Sequence, residues 1–209
     1  MLLSVVLLFV GAVLFVNGIW LIGQARAATA VTPAPASVGG RGAEPPAAAV
    51  EPPGDATLMQ NREVAVLNLF VGILGAILAL TLLIQGNANG DLGSVRGGGF
   101  IFLFAFTYLY VGVNQFLDRG GHAFGWYCLF VAVTAVPAGI YTLSNTDGKT
   151  ANVWLGINWF VWAVLWFMFF LLLALDRPIA RITGIVTVIV AIGTAWVLGF
   201  LVMIDKLSF

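Results

Sequence analysis

Six long apolar runs dominate the chain, at residues 2–23, 64–85, 99–117, 124–144, 151–175 and 179–204. Each has about the 20 residues needed to cross a hydrocarbon core at roughly 1.5 Å per residue. A backbone in lipid must satisfy its own hydrogen bonds, so each run is expected to be a helix. Their nearly continuous apolarity excludes the alternating pattern of a membrane β-barrel. Composition points the same way: 61% of the 209 residues are hydrophobic and 9% are charged. A soluble domain carries about 25% charge, and no water-soluble surface can be built from this material. The expected fold is an all-α, polytopic membrane protein, with residues 1–209 forming one membrane domain.

The breaks between runs are marked by residues that end helices and make turns. QGNANGDLGSVRGGG separates the second and third runs, DRGGHA the third and fourth, NTDGK the fourth and fifth, and DRP the fifth and sixth. The first connection, residues 25–61, is rich in Ala, Pro and Gly and has no aromatic residue. Such a segment cannot bury a core and is expected to be a disordered loop. Ala25-Arg26-Ala27 fits a small-x-small cleavage site, but no basic residue precedes the long first run, so that run reads as a retained span. With the N-terminus outside, the inner side holds Arg26, Arg41, Arg62, Arg119, Arg177 and Arg181, and the outer side holds Arg96, Lys149 and Lys206. Six basic residues against three place both termini outside.

Several function classes drop out. The formal net charge is zero, so no basic face points to nucleic acid. Cys128 and His122 are the only residues of their types, which excludes an internal disulfide and a Cys- or His-cluster metal site. No carboxylate pair lies mid-span, and Cys128 has no histidine within its span, so no catalytic residue and no cofactor is assigned. Glu63, Asp118, Asp176 and Asp205 lie at or near span ends. An ion-coupled transporter keeps ionisable groups inside the membrane, and none is visible here. That pattern fits a passage for something neutral.

Polar and aromatic residues within the spans carry the rest. Asn17, Asn68, Asn114 and Asn158 lie in otherwise apolar sequence and must face other helices or water. Interhelical hydrogen bonding is the plain reading of each; contact with a pore is the other. Trp159, Trp162 and Trp166 are spaced three and four apart, with Leu155 completing the row, on one face of the fifth run. They rise about 10 Å along the helix, deeper than an interfacial aromatic belt reaches. Packing between helices remains the alternative. In the third run Phe102, Phe106 and Tyr110 recur every four residues, with Phe104 and Tyr108 in a row nearby. Two aromatic faces beside asparagines can enclose a narrow flat slot with sparse indole and phenol donors. Such a slot suits a small, planar, neutral solute.

These residues resemble the AmiS/UreI family of urea and short-chain amide channels. The first run, with LLFVG followed by NGI, is similar to the family's opening, and VAVLNLFVGIL to its second span. FTYLYVGVNQ and GWYCLFVAVTAVPA are the most specific motifs, and Trp159-x2-Trp162-x3-Trp166 with Thr194-Ala195-Trp196 completes the likeness. The resemblance implies a six-helix bundle of three helical hairpins with a pore inside each protomer, six protomers forming a homohexamer in the lipid bilayer of the bacterial inner (cytoplasmic) membrane. Weak echoes, LFVG at 8–11 and 69–72 and LFVA at 129–132, agree with repeated hairpins. It implies passive, energy-independent passage of urea or short aliphatic amides. The pore lining it implies is Leu7, Val10, Leu14, Phe106, Tyr110, Trp159, Trp162, Leu165 and Trp166, with Asn17, Asn68 and Asn114 as structural or pore polar groups. Two departures refine this. The outer loops, about residues 86–98 and 145–150, contain no histidine, so gating by external acid is not expected. Val190 falls where the urea channel has a buried glutamate, which favours the amide-channel branch. A membrane scaffold that transports nothing is the alternative.

Overall fold

The computed structural model describes residues 2–30 and 59–209, all of whose regular structure is helical. α1 spans Leu2–Ala30, α2 Asn61–Asn89, α3 Leu92–Phe116, α4 His122–Ser144 and α5 Thr150–Leu173. α6 spans Ala180–Met203 and carries a π-helical turn at Ala191–Trp196. All six helices are long and apolar enough to cross a membrane.

Two boundaries differ from the sequence reading. α1 continues to Ala30, so the first residues of the expected loop 25–61 are helical. Residues 31–58 of that loop lie outside the described residues, and Asn61 at its far end already begins α2. The long break between the second and third spans is only two residues. Gly90 takes a left-handed conformation (φ 68°) and ends α2. Asp91 then caps α3, its carboxylate accepting from the Gly93 and Ser94 amides at 2.9 and 3.2 Å. The glycines after it are helical rather than a loop.

The helices pack as three pairs, each along a seam of glycines that lets backbones approach closely. In α2–α3, a Cβ on Gly98 would sit 2.7 Å from the Ala79 carbonyl oxygen, and one on Gly72 would sit 2.8 Å from Leu109. In α4–α5, Gly125 abuts the Ala174 amide and Gly156 abuts Leu143. The third pair joins the first and last helices: Gly18 and Gly184 face each other, and Gly11 and Gly199 press on Trp196 and Leu8. Two pairs are therefore sequential hairpins and the third closes the ring. Cavity-lining residues come mostly from α1, α3 and α5, with α6, α2 and α4 as their respective partners. The outward surface is apolar, with Phe70, Ile84, Phe130, Val133 and Ile189 well exposed, as a lipid-facing or subunit-facing surface requires.

Aspartate serves the helix ends rather than the interior. Asp118, Asp147, Asp176 and Asp205 all have φ between 47° and 56°, in loops that follow α3, α4, α5 and α6. Asp tolerates the left-handed region better than most residues, which accounts for the acidic punctuation of the sequence.

Candidate functional site

Two cavities lie end to end inside the helix ring. The larger, about 420 Å³, is lined by Leu14, Asn17, Thr107, Tyr108, Val111, Gln115, Cys128, Leu165 and Trp166 among others. It opens at the end of the bundle that carries Asp118, Arg119 and Gly120. The smaller, about 100 Å³, is lined by Leu3, Val6, Leu7, Val10, Phe100, Ile101, Leu155 and Trp159, and lies toward the end that carries the chain's first residues. Phe104 and Trp162 line both cavities and separate them.

The separating wall is an aromatic cluster centred on Phe104. Its ring lies 5.7, 4.8 and 4.9 Å from those of Trp159, Trp162 and Trp166. The Phe104–Trp162 and Trp159–Trp162 contacts are edge-to-face, at 82° and 80°. Electrostatics favours this geometry over face-to-face stacking. The crevice is thus bounded by crossed ring edges, not by the parallel plates that a flat slot would need. All three tryptophans are buried, Trp162 to 2% exposure.

Seven of the nine residues assigned to the lining meet around these cavities. Leu7, Val10 and Trp159 face the smaller one, Leu14, Leu165 and Trp166 the larger, and Trp162 both. Phe106 and Tyr110 do not. Phe106 is 49% exposed on the outer face of the ring, its centroid 5.0 Å from that of Phe102 with the planes tilted by 32°. Tyr110 packs instead on Phe124 and Tyr127 of α4. The reason is register. α3 docks on α2 through Gly98, Ala105 and Gly112, and this turns Phe104 and Tyr108 inward. A residue two positions along a helix points about 200° away. Both rows were visible in the sequence, and the row Phe104–Tyr108, not Phe106–Tyr110, faces the cavities.

The asparagines divide. Asn17 and Asn68 bond reciprocally, amide to carbonyl, at 3.0 and 2.7 Å. Asn68 also donates to the Val64 carbonyl at 2.9 Å and is fully buried. Asn17 reaches the larger cavity while holding α1 to α2. Asn114 lies at the mouth of that cavity, with its amide 3.5 Å from the Gly120 carbonyl. Asn158, assigned no specific role from the sequence, is 2% exposed and donates to the Thr194 carbonyl at 2.7 Å.

The indole donors also divide. Trp162 Nε1 is spent on the Thr194 hydroxyl at 2.8 Å. Trp159 and Trp166 line the cavities, and no hydrogen bond to a described residue occupies their N–H groups. The Tyr108 hydroxyl, on the larger cavity, is in the same position. Among the described residues, the charged groups that line either cavity are Asp118 and Arg119, both exposed at the wide mouth. Val190 is buried but lines neither cavity; its carbonyl accepts from the Thr194 hydroxyl at 2.6 Å.

Residues 56–206 match the profile of the AmiS/UreI family transporter. The chain belongs to that family. A protein of Rhodococcus erythropolis assigned as the transporter AmiS2 is 34% identical over 201 residues, covering 96% of this chain and 78% of that one. The acid-activated urea channel of Helicobacter pylori is 30% identical over 171 residues, covering 71% of this chain and 88% of the channel. The crystal structure of the Helicobacter pylori urea channel superposes with a TM-score of 0.73 at 28% identity, covering 100% of both chains. This AmiS/UreI member therefore shares the six-helix architecture of a solved urea channel, and its likeness to the AmiS2 transporter extends across nearly its whole length.

Proposed function

We propose that this protein is a passive, energy-independent channel for short-chain aliphatic amides or urea, with the solute path inside each subunit. The observation that carries this reading is the pair of cavities within one chain, divided only by the Phe104–Trp162 wall. The wall and the smaller cavity lack charge, so a hydrated ion entering them would lose water without compensation. An amide loses less, and the unpaired Trp159, Trp166 and Tyr108 donors offer partial replacement for its hydration. The amide-branch and urea-channel relatives support the solute class. The family resemblance supports a homohexamer in the cytoplasmic membrane, and the excess of basic residues on one side supports termini outside. In that orientation the 420 Å³ cavity opens to the cytoplasm.

Purified protein in liposomes tests the reading by stopped-flow light scattering. Acetamide and urea should equilibrate several-fold faster than in empty vesicles, without a proton or sodium gradient, while glycerol should lag. Equal rates with and without protein would leave a membrane scaffold as the role. Uptake that occurs only with an imposed ion gradient would overturn passivity.

A further inference from the structure

The wall between the cavities is hydrogen-bonded to a residue that lines neither. α6 abandons α-helical geometry at Ala191–Trp196, where the Val197 amide reaches back five residues to the Ile192 carbonyl. Such π turns insert an extra residue and redirect nearby polar groups. Here the redirected groups meet the aromatic helix. The Thr194 hydroxyl accepts from Trp162 Nε1 at 2.8 Å and donates its proton to the Val190 carbonyl at 2.6 Å. The Thr194 backbone carbonyl accepts from Asn158 at 2.7 Å, and the Gly193 carbonyl accepts from Trp154 Nε1 at 3.2 Å. Three side chains of α5 are thereby tied to two consecutive residues of α6.

We propose that Thr194 is a positioning and specificity-determining residue: its hydroxyl fixes the orientation of the Trp162 ring, and that orientation sets the largest solute the wall admits. The inference rests on reading the crevice as the solute path. Trp162 is the α5 ring that lines both cavities, so rotation of its indole changes the opening directly. The hydroxyl has one proton, committed to Val190, which leaves its lone pairs to receive the indole N–H. The lock is therefore directional. Free of it, a buried indole N–H would seek another acceptor, at the cost of its ring position. Phe104 gives no such acceptor, because it meets Trp162 through a ring contact alone.

Thr194→Val keeps the shape and removes the acceptor; Thr194→Ser keeps the acceptor. In proteoliposomes the ratio of butyramide to acetamide permeability should change by about tenfold in Thr194→Val, the scale expected when a buried donor loses its partner. It should stay near the native ratio in Thr194→Ser. Trp162→Phe, which has no N–H to lock, should shift the ratio as well, and adding Thr194→Val to it should change nothing further. This variant keeps the idea exposed to refutation if Thr194→Val fails to fold. Hydrogen exchange of the Trp162 indole N–H in 15N-tryptophan-labelled protein gives a readout independent of flux: slow in the native protein and in Thr194→Ser, fast in Thr194→Val. Native protein that carries no solute would sink the channel reading. Native protein that conducts, with Thr194→Val keeping both its ratio and slow exchange, would overturn the role of Thr194 alone.

Discussion

Phe104 concentrates the selectivity problem in one side chain. It touches three tryptophans, lines both cavities and is 8% exposed. Phe106, two residues later, carries the same ring on the lipid-facing or subunit-facing side at 49% exposure. The pair therefore makes a controlled comparison. Phe104→Ala should merge the cavities and raise glycerol permeability relative to acetamide by about tenfold, as loss of roughly 1.4 kcal/mol of barrier would. Phe106→Ala should leave that ratio unchanged. Stopped-flow rates on the two variants at matched incorporation check both halves; equal ratios in the two would remove Phe104 from the filter. A large-to-small change at a buried phenylalanine costs about 3–5 kcal/mol in soluble cores, so Phe104→Leu is the companion variant if alanine does not fold. At this scale the sequence was half-legible. The tryptophan row declared itself by its spacing, because a helix face is a matter of period alone. The α3 row did not. Two interleaved aromatic rows satisfy the same period, and only the glycine contacts with α2 decide which one turns inward.

Those contacts belong to the helix pair. Gly98 and Gly99 are neighbours in α3 with opposite surroundings: a Cβ on Gly98 would meet the Ala79 carbonyl at 2.7 Å, and one on Gly99 would meet nothing within 4 Å. Gly98→Ala must push α2 and α3 apart and should destabilise the fold by about 1–3 kcal/mol, the scale of overpacking in a tight core. Gly99→Ala should be neutral or stabilising by roughly 0.5–1 kcal/mol, since it removes only glycine's conformational freedom in a helix. Thermal unfolding in detergent, followed by circular dichroism, separates the two, and a common shift would mean that the seam does not limit stability. The same glycines explain why the α2–α3 connection was misjudged. GGG is ordinarily turn composition, but here all three glycines are helical, with Gly98 packed into the seam and Gly97 and Gly99 facing open space. The π turn of α6 was not legible at all. Its run has no proline, and Gly193 and Thr194 within the turn are residues that an ordinary membrane helix also accepts; the turn becomes evident only from the Trp162, Asn158 and Trp154 bonds that converge on it.

At the scale of the whole molecule, the chemistry of the two ends bears on what can open the path. The end that carries the chain's first residues bears Asp91, Arg96, Asp147, Lys149, Asp205 and Lys206, and the chain's single histidine, His122, begins α4 at the opposite end. A gate that responds between pH 5 and 7 needs a group that changes charge there, and histidine is the side chain whose ordinary pKa lies in that range. Asp91 is not such a group. Hydrogen bonds from the Ser94 side chain and backbone, with the Gly93 amide, hold its carboxyl below the usual carboxylate range. A depressed folded-state value means that Asp91 stays ionised throughout the window. Whatever its cap contributes to α3 is present above the unfolded-state value near 4 and is lost only as pH falls through the folded one. Acetamide flux measured with external pH stepped from 7 to 5 should therefore change by less than about twofold, because the chain's single histidine lies at the other end. The contrast is sharp because a family relative is an acid-activated urea channel built on the same six helices. A several-fold rise at pH 5 would overturn this expectation, and Asp147→Asn and Asp205→Asn, made singly, would show whether either side chain carries the response.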